Sequence, residues 1–546
     1  MTNCCCTFSV NDLAALEAEV LTCIRSSSTL LAPHSWNSLG LPVELWSTVW
    51  LHLPFSGRVA ASQTCRQWRL NALACQELWA DICVHVWVCR FYECATCDDK
   101  LDDERISARQ IAPTRLAHLL ERSGKRHVSL TVIMHGPSDQ PKCRVIKAVA
   151  QGLISHARRV RSLDIHASDN AGIPIFMLQL PKLRNLRRLK ASSSDLLHSG
   201  FLLEGALDAP RLKHVVVGGT ILGLAKTNAV GTIGFPSMKT LQCTVSSAQA
   251  LVNVVRIAAT GALKSFHLCL SCDTEEGFMP SYTERSLVCS LLAEMPLSSI
   301  TLANLWYEDR QLMEVFALPK VKRITFQSVP GSPGFDGGFV AVLNSIHAPN
   351  KLLFSRVEGV DGGGTAETRR KGLQWSTFSF IDTNWHTTQV PRTARRRDLH
   401  WDMGHLQRLH NIWDGLPNST YQSLRLMTID SDLLHIFHRT GQITLTWPNV
   451  HTVTVQVVPE ELRLASPADA LPMLDLPALT TLNIEASLTQ DIIWLDIEVF
   501  RHSIMLPILG DRTVKLMLFT GVTLHSTEVP VQSSELAGNA EVVRFE

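Results

Sequence analysis

Apolar positions along the chain follow two regimes. Over residues 41–82 they recur every three to four residues, the spacing of one face of an α-helix. Leu45, Val49 and Leu53 form one stripe, with Trp46 and Trp50 on the adjoining row. Pro42 suits a first helical turn, where a missing N–H is harmless. Ser56 is placed to cap a second helix carrying Val59, Ala60 and Cys65, and Trp68, Leu73, Leu78 and Trp79 follow. The pattern predicts three short helices with more apolar surface than so small a unit can bury by itself. Upstream, Asn11 or Asp12 caps a further short amphipathic helix bearing Leu13, Leu16 and Val20.

From about residue 124 the period changes to two. A unit of aliphatic, two variable residues, aliphatic, one variable residue, aliphatic returns as VRSLDI (160–165), LKHVVV (212–217), MKTLQC (238–243), LKSFHL (263–268), LSSITL (297–302), VKRITF (321–326), VHTVTV (450–455) and LTTLNI (479–484). Weaker copies begin near 186, 352, 373, 424 and 514, and several copies are led by Pro. Alternation of this kind marks short strands. Helical patterns fall between them: Val145–Ile154, Leu251–Ile257, Leu287–Leu292 with Thr283 as cap, Val340–Ile346, and Leu433–Phe437 after Ser431. Repetition of strand then helix predicts an α/β class and a solenoid architecture.

Two resemblances attach to these patterns. Leu41-Pro42, Glu44-Leu45, Val49-Trp50, Leu53, Cys65-Arg66 with Trp68, and Leu78-Trp79 together resemble the F-box, with Trp46 standing where a smaller aliphatic is usual. A short leucine-bearing helix ahead of an LPxE start is similar to many F-box proteins of mushroom-forming fungi. The period-two units resemble irregular leucine-rich repeats, largely without the Asn of the regular consensus. These resemblances imply an organisation of a disordered terminus and short amphipathic helix over 1–35, an F-box over 36–84, a cysteine-containing connector over 85–123, and a leucine-rich-repeat-like horseshoe over 124–546 with an insertion at 385–418.

The F-box resemblance implies docking on the Skp adaptor, and through it on a cullin, by Leu41, Pro42, Leu45, Val49, Leu53, Val59, Leu78 and Trp79; Cys65 and Trp68 are candidates for its internal core. It further implies the substrate-recognition subunit of an SCF-type ubiquitin ligase, doing no covalent chemistry itself. A repeat scaffold that binds partners without directing ubiquitination is the alternative. In a horseshoe the residues between the strand aliphatics face outward on the concave sheet. Asp164, His166, Gln242, His267, Gln327, Gln456 and Asn483 are the expected substrate-facing set, accompanied by Thr244, Thr325, Thr454 and Glu485. An unknown protein is the expected substrate.

Composition narrows the partners. With 45% hydrophobic and 18% charged residues the chain has the make-up of a folded protein, and a net charge of +1 supplies no global attraction to nucleic acid or membrane. No apolar run reaches the length of a membrane span, and the scattered cysteines suit reduced thiols, so a cytoplasmic or nuclear location is expected. Cys4–Cys6 lack a second anchoring signal nearby.

Chemistry is sparse. Cys94 and Cys97 have zinc-knuckle spacing, with Cys89 or His85 as further ligands, but the second half of such a site is missing and the surrounding apolar stretch suits buried thiols. No metal or cofactor is expected. The run Arg392, Arg395, Arg396, Arg397 reads as a solvated loop ahead of an import signal or a contact for an acidic partner. GVDGGGT (359–365) lacks the Lys-Ser/Thr of a phosphate loop, and no nucleophile, metalloprotease or dinucleotide signature appears, so no enzyme is expected.

Overall fold

Most strand copies are set up by a tight turn. In Ala209–Leu212, Phe235–Met238, Leu318–Val321, Trp447–Val450 and Leu476–Leu479 the last N–H donates to the first carbonyl. Proline holds the second position of each, where its fixed φ is already that of a turn. The ends of these turns are buried, save Leu479, which is half-buried against the core, so each turn is pinned by apolar contact as well as by its hydrogen bond. Pro-led copies in the sequence are therefore turn signals attached to strands.

The computed structural model describes residues 43–87, 103–135, 144–167, 176, 183–193, 209–220, 235–245, 247–259, 262–270, 280–305, 310–328, 349–357, 375–382, 395–402, 418–431, 434, 445–457, 474–486, 493–526 and 529–546. It is mixed α/β. The helix expected after Asn11, the Val340–Ile346 helix, nearly all of the Leu433–Phe437 helix and the glycine-rich 359–365 segment lie outside the described residues.

The described residues begin with α1 (Val43–Leu51), α2 (Phe55–Thr64) and α3 (Arg66–Ala74). Cys65 Sγ accepts from the Trp68 N–H and caps α3, whereas α2 starts behind Pro54 with no side-chain cap, so Ser56 does not take that role. Further helices are α4 (Asp103–Arg122), α5 (Arg144–Gly152), α6 (Ala248–Ala259), α7 (Tyr282–Glu294) and α8 (Arg310–Phe316). The cap of α7 is Ser281, in a reciprocal box with Glu284, two residues before the expected Thr283.

Strands are β1 (Asp81–Trp87), β2 (Val128–His135), β3 (Val160–Ala167), β4 (Arg188–Ser193), β5 (His214–Thr220), β6 (Thr240–Val245), β7 (Ser265–Leu270), β8 (Ser299–Leu305), β9 (Arg323–Ser328), β10 (Lys351–Val357), β11 (Trp375–Asp382) and β12 (Arg395–Asp402). They continue as β13 (Leu426–Asp430), β14 (Leu445–Thr446), β15 (Thr452–Val457), β16 (Leu474–Asp475), β17 (Thr481–Ala486), β18 (Ile493–Asp496), β19 (Val514–Thr520), β20 (Val522–Ser526), β21 (Val529–Pro530) and β22 (Ala540–Phe545). A 17-stranded sheet holds most of them, and β14–β16 and β18–β20–β21 form small separate sheets.

In the large sheet β1 to β9 pair in chain order, all parallel. The order then inverts. β12 lies beside β9, β11 beside β12, and β10 beside both β11 and β13. β13, β15, β17, β19 and β22 complete the sheet in parallel. β11 is antiparallel to both neighbours, and period-two alternation is blind to this because it is the same in either chain direction.

Two expectations change here. Arg395, Arg396 and Arg397 of the basic run form no solvated loop, since Arg395–Asp402 is a strand in the middle of the sheet; Arg392 lies outside the described residues. The cysteine-containing segment does not begin as a connector either: β1 starts directly after the Gln76–Trp79 turn of 3-10 helix and pairs along its full length with β2. Ile82, Val84 and Val86 are buried in the same core as Trp50 and Trp79.

Register aligns the inward residues into rows. Ile82, Leu130, Leu163, Leu189, Val215, Leu241, Phe266, Ile300 and Ile324 are successive partners across β1 to β9, all buried. The next partner in this row is Arg397, at 0% exposure. Its guanidinium donates to the Val321 carbonyl at 2.9 Å and the Leu318 carbonyl at 3.1 Å, on the turn that leads into β9. The cation thus occupies an aliphatic position by serving carbonyls of the neighbouring turn. Arg397→Met is expected to lower unfolding free energy by about 3 kcal/mol, because those acceptors lose charged donors inside the core. A shift of the urea midpoint without change of slope checks this.

Candidate functional site

The helical N-terminus divides its apolar residues between two uses. Trp50 is buried, Trp68 and Trp46 pack on it, and the ring centroids lie 5.1 to 6.2 Å apart. Trp79 is fully buried, donates from Nε1 to the Ala72 carbonyl at 2.7 Å, and carries the Arg122 guanidinium over its ring at 5.2 Å. Arg58, also buried, donates to the Leu53 carbonyl at 2.9 Å and pairs with Asp81 at 3.6 Å, tying α2 to the end of α1 and to β1. These contacts attach the helices to the sheet.

Other apolar side chains face away. Leu45 and Val49, one turn apart on α1, are 50% and 51% exposed, and Leu70 and Leu73 on α3 are 54% and 40% exposed. Between the two helices lies a cleft of about 500 Å³ whose lining includes Thr48, Leu51, Asn71, Ala74 and Glu77. Of the residues expected to dock a partner, Leu45 and Val49 are presented, Leu53 and Val59 are half-buried against the core, and Leu41 and Pro42 lie outside the described residues. Leu78 and Trp79 cannot dock anything: both sit in the core, because the short 3-10 turn that carries them leads straight into β1. Leu70 was not expected. The signal for it was that Trp68 and Ala72 take the inner side of α3, which leaves positions 70 and 73 outside.

The second surface is the outward face of the sheet. Parallel sheets covered on both faces read as continuous apolar runs. Here β2, β3, β6, β7 and β15 alternate buried with half-exposed or exposed positions, so one face packs and the other is polar. Asp164, Lys190, Val216, Gln242 and His267 are consecutive partners in one row, and the same row leads through Thr325, Asp398, Ser379, Leu353, Thr428 and Thr454 to Asn483. His166, Gln327 and Gln456 stand two residues further along their strands. Strand spacing puts Asp164 about 20 Å from His267 but on the order of 60 Å from Asn483. One small ligand cannot touch all seven; an extended partner can touch the first group. Thr325, Thr428 and Asp430 are buried, so the polar face is not continuous through its middle.

Locally, Ser192 Oγ lies 2.6 Å from His166 Nδ1, His166 Nε2 lies 3.1 Å from Asp164 Oδ1, and Lys190 Nζ lies 3.7 Å from Asp164 Oδ2. The contact at Asp164 Oδ1 is close by distance and not a hydrogen bond by geometry. Hydroxyl, imidazole and carboxylate thus stand in line across two strands. All are partly exposed, where water competes for each contact; catalytic dyads draw on positioned groups in a water-excluded site. The line serves as a polar patch with donors and acceptors facing outward.

Cys89, Cys94 and Cys97 lie outside the described residues, and His85 faces His135, Nδ1 to Nε2 at 2.9 Å with the rings stacked. Among the described residues no three His, Cys, Asp or Glu side chains cluster as a metal site, and no helix is long and apolar enough to cross a membrane. No protein-family model matches the chain, and neither does any curated protein.

Burial holds the basicity of His85, His135 and His267 below the ordinary imidazole value; His135 and Arg115 add repulsion at His85. The unfolded chain therefore takes up these protons first. Stability is unaffected above about pH 6.5, falls as pH drops below it, and levels once the folded histidines also protonate. His85→Gln with His135→Gln is expected to flatten the thermal-melting decline between about pH 6.5 and 5 relative to the parent chain.

Proposed function

We propose that the chain is a substrate-recognition subunit of an SCF-type ubiquitin ligase, docking on the Skp adaptor through its N-terminal helices and holding a protein substrate on the outward face of the repeat sheet. The observation that carries this reading is the division of apolar surface over α1 and α3. One set of side chains locks the helices to the sheet; a second set, Leu45, Val49, Leu70 and Leu73, stays in water. Exposed apolar side chains gathered on one small unit mark a protein contact. The motif over residues 41–79, which resembles the F-box, says which kind. The parallel strand order supports a leucine-rich-repeat-like solenoid, with the inverted β10–β12 segment as its departure from a regular one.

The mechanism is proximity. A unit fused rigidly to the sheet through Trp79, Arg58 and Asp81 fixes the distance between adaptor and bound substrate, so a conjugating enzyme meets the substrate at high effective concentration. Leu78 and Trp79 contribute to that rigidity and not to the adaptor contact.

Leu45→Asp with Val49→Asp is expected to weaken binding to purified Skp adaptor by at least about tenfold while leaving the melting temperature within a few degrees, since both side chains are already half in water. Trp79→Ala is expected to cost about 3 to 5 kcal/mol of stability. Adaptor affinity unchanged in the double variant would refute the docking surface.

A further inference from the structure

The second position of successive strand copies is a cation: Arg161, Arg187, Lys213, Lys239 and Lys264. Folding makes these residues neighbours. The Arg187 N–H donates to the Arg161 carbonyl, Lys213 to Arg187, Lys239 to Lys213 and Lys264 to Lys239, at 2.7 to 2.8 Å. Arg188 adds a sixth charge one residue on. Each of the six is exposed or half-exposed, and among the described residues none forms an ion pair. No Asp or Glu occurs in the strand-leading segments 157–162, 183–188, 209–214, 235–240 and 262–265. A chain with 51 basic and 50 acidic residues has therefore gathered a cationic rim along β3 to β7.

The field of this rim acts on its own histidines. His214, lowered first by burial, is lowered further by Arg188, Lys213 and Lys239. His127, likewise lowered first by burial, is lowered further by Arg161 and Arg187.

We propose that the rim of β3–β7 binds an extended acidic segment of a protein partner. This deepens the reading given above and rests on it in one respect, that the partner is the substrate. Strand spacing makes the rim about 19 Å long from Arg161 to Lys264, the length of about six extended residues. Alternate side chains of such a segment point the same way, so three or four carboxylates meet the cations. Beside the rim the Ser162 hydroxyl is open to peptide backbone, while Thr240 Oγ1 lies 2.9 Å from His214 Nδ1 and Ser299 Oγ donates to Ser265 Oγ, which leaves the Ser265 hydroxyl a proton to donate. Nucleic acid fits less well. No Phe, Tyr or Trp in the strand-leading segments is exposed to stack a base, and at β6 and β7 the rim is one cation wide.

The test is fluorescence anisotropy on the full chain with a labelled peptide of alternating Glu and Ser, roughly twelve residues long. Affinity is expected to fall steeply with added salt. Arg187→Glu with Lys213→Glu and Lys239→Glu is expected to reduce affinity by at least about tenfold, and the matching Gln triple by a smaller factor, with adaptor binding unchanged in both. The Gln triple removes charge without introducing repulsion, so a loss there is due to the missing cations. The peptide is also expected to bind the Leu45→Asp, Val49→Asp variant normally. Peptide affinity unaffected in both triple variants overturns the proposal, as does an oligouridylate of equal length that binds more tightly and is lost with the same substitutions. Loss of adaptor binding by Leu45→Asp, Val49→Asp bears only on the docking surface, and absence of that loss leaves the rim intact.

Discussion

Strand after strand, a residue at the entry to the strand donates its N–H to the carbonyl of the residue at the same place on the preceding strand, from Arg187 on Arg161 through Lys264 on Lys239 to Lys515 on Thr480. The rest of the structure depends on this contact. It sets register, and in a sheet register decides which face every side chain takes. Aliphatic rows fall into line on one side, polar rows on the other, and the buried turns ahead of the strands hold the spacing constant. Where the topology breaks the contact shifts by one residue: Arg396, opposite Arg323 on a strand laid out of order, donates to the Lys322 carbonyl. Arg397 beside it shows the strength of that constraint. A strongly hydrated group is accepted in an aliphatic row because register puts it there, and the turn before β9 supplies the carbonyls that make it tolerable.

The same geometry separates attachment from recognition. Trp50 and Trp79 share one buried core with Ile82, Val84 and Val86, which joins the helices that carry exposed leucines to the first strand of the sheet. Contacts made in the core hold distances; surfaces left in water are available for partners. On the polar face, Asp164 already has Lys190 and His166 beside it, whereas among the described residues the cations of the strand-leading rim form no ion pair. Charge that is satisfied internally contributes shape, and charge that is not contributes attraction.

Much of this was legible in the residues. The period-two units lie on strands, the α6 and α7 patterns on helices, and the Pro leads on turns. The helical spacing of residues 45–79 correctly marked excess apolar surface. Three things were not legible. Leu78 and Trp79 share the spacing of docking residues, and only the immediate start of β1 turns them inward. Arg395–Arg397 has the composition of a loop, and only pairing with β9 makes it a strand. LQWSTF has the alternation of the other copies and runs the opposite way.

The sequence by itself determined most of the repeat strands and the turns that lead them, and which of their side chains share a face, because these follow from local spacing and from the φ preference of proline. Tertiary structure alone decided which strands are neighbours, in what direction β11 runs, and that five cations about 26 residues apart stand in a single file. Alternation is a property of one strand, and adjacency is a property of two. A Lys in the second position of a copy is unremarkable until the hydrogen-bonded register sets the next one beside it.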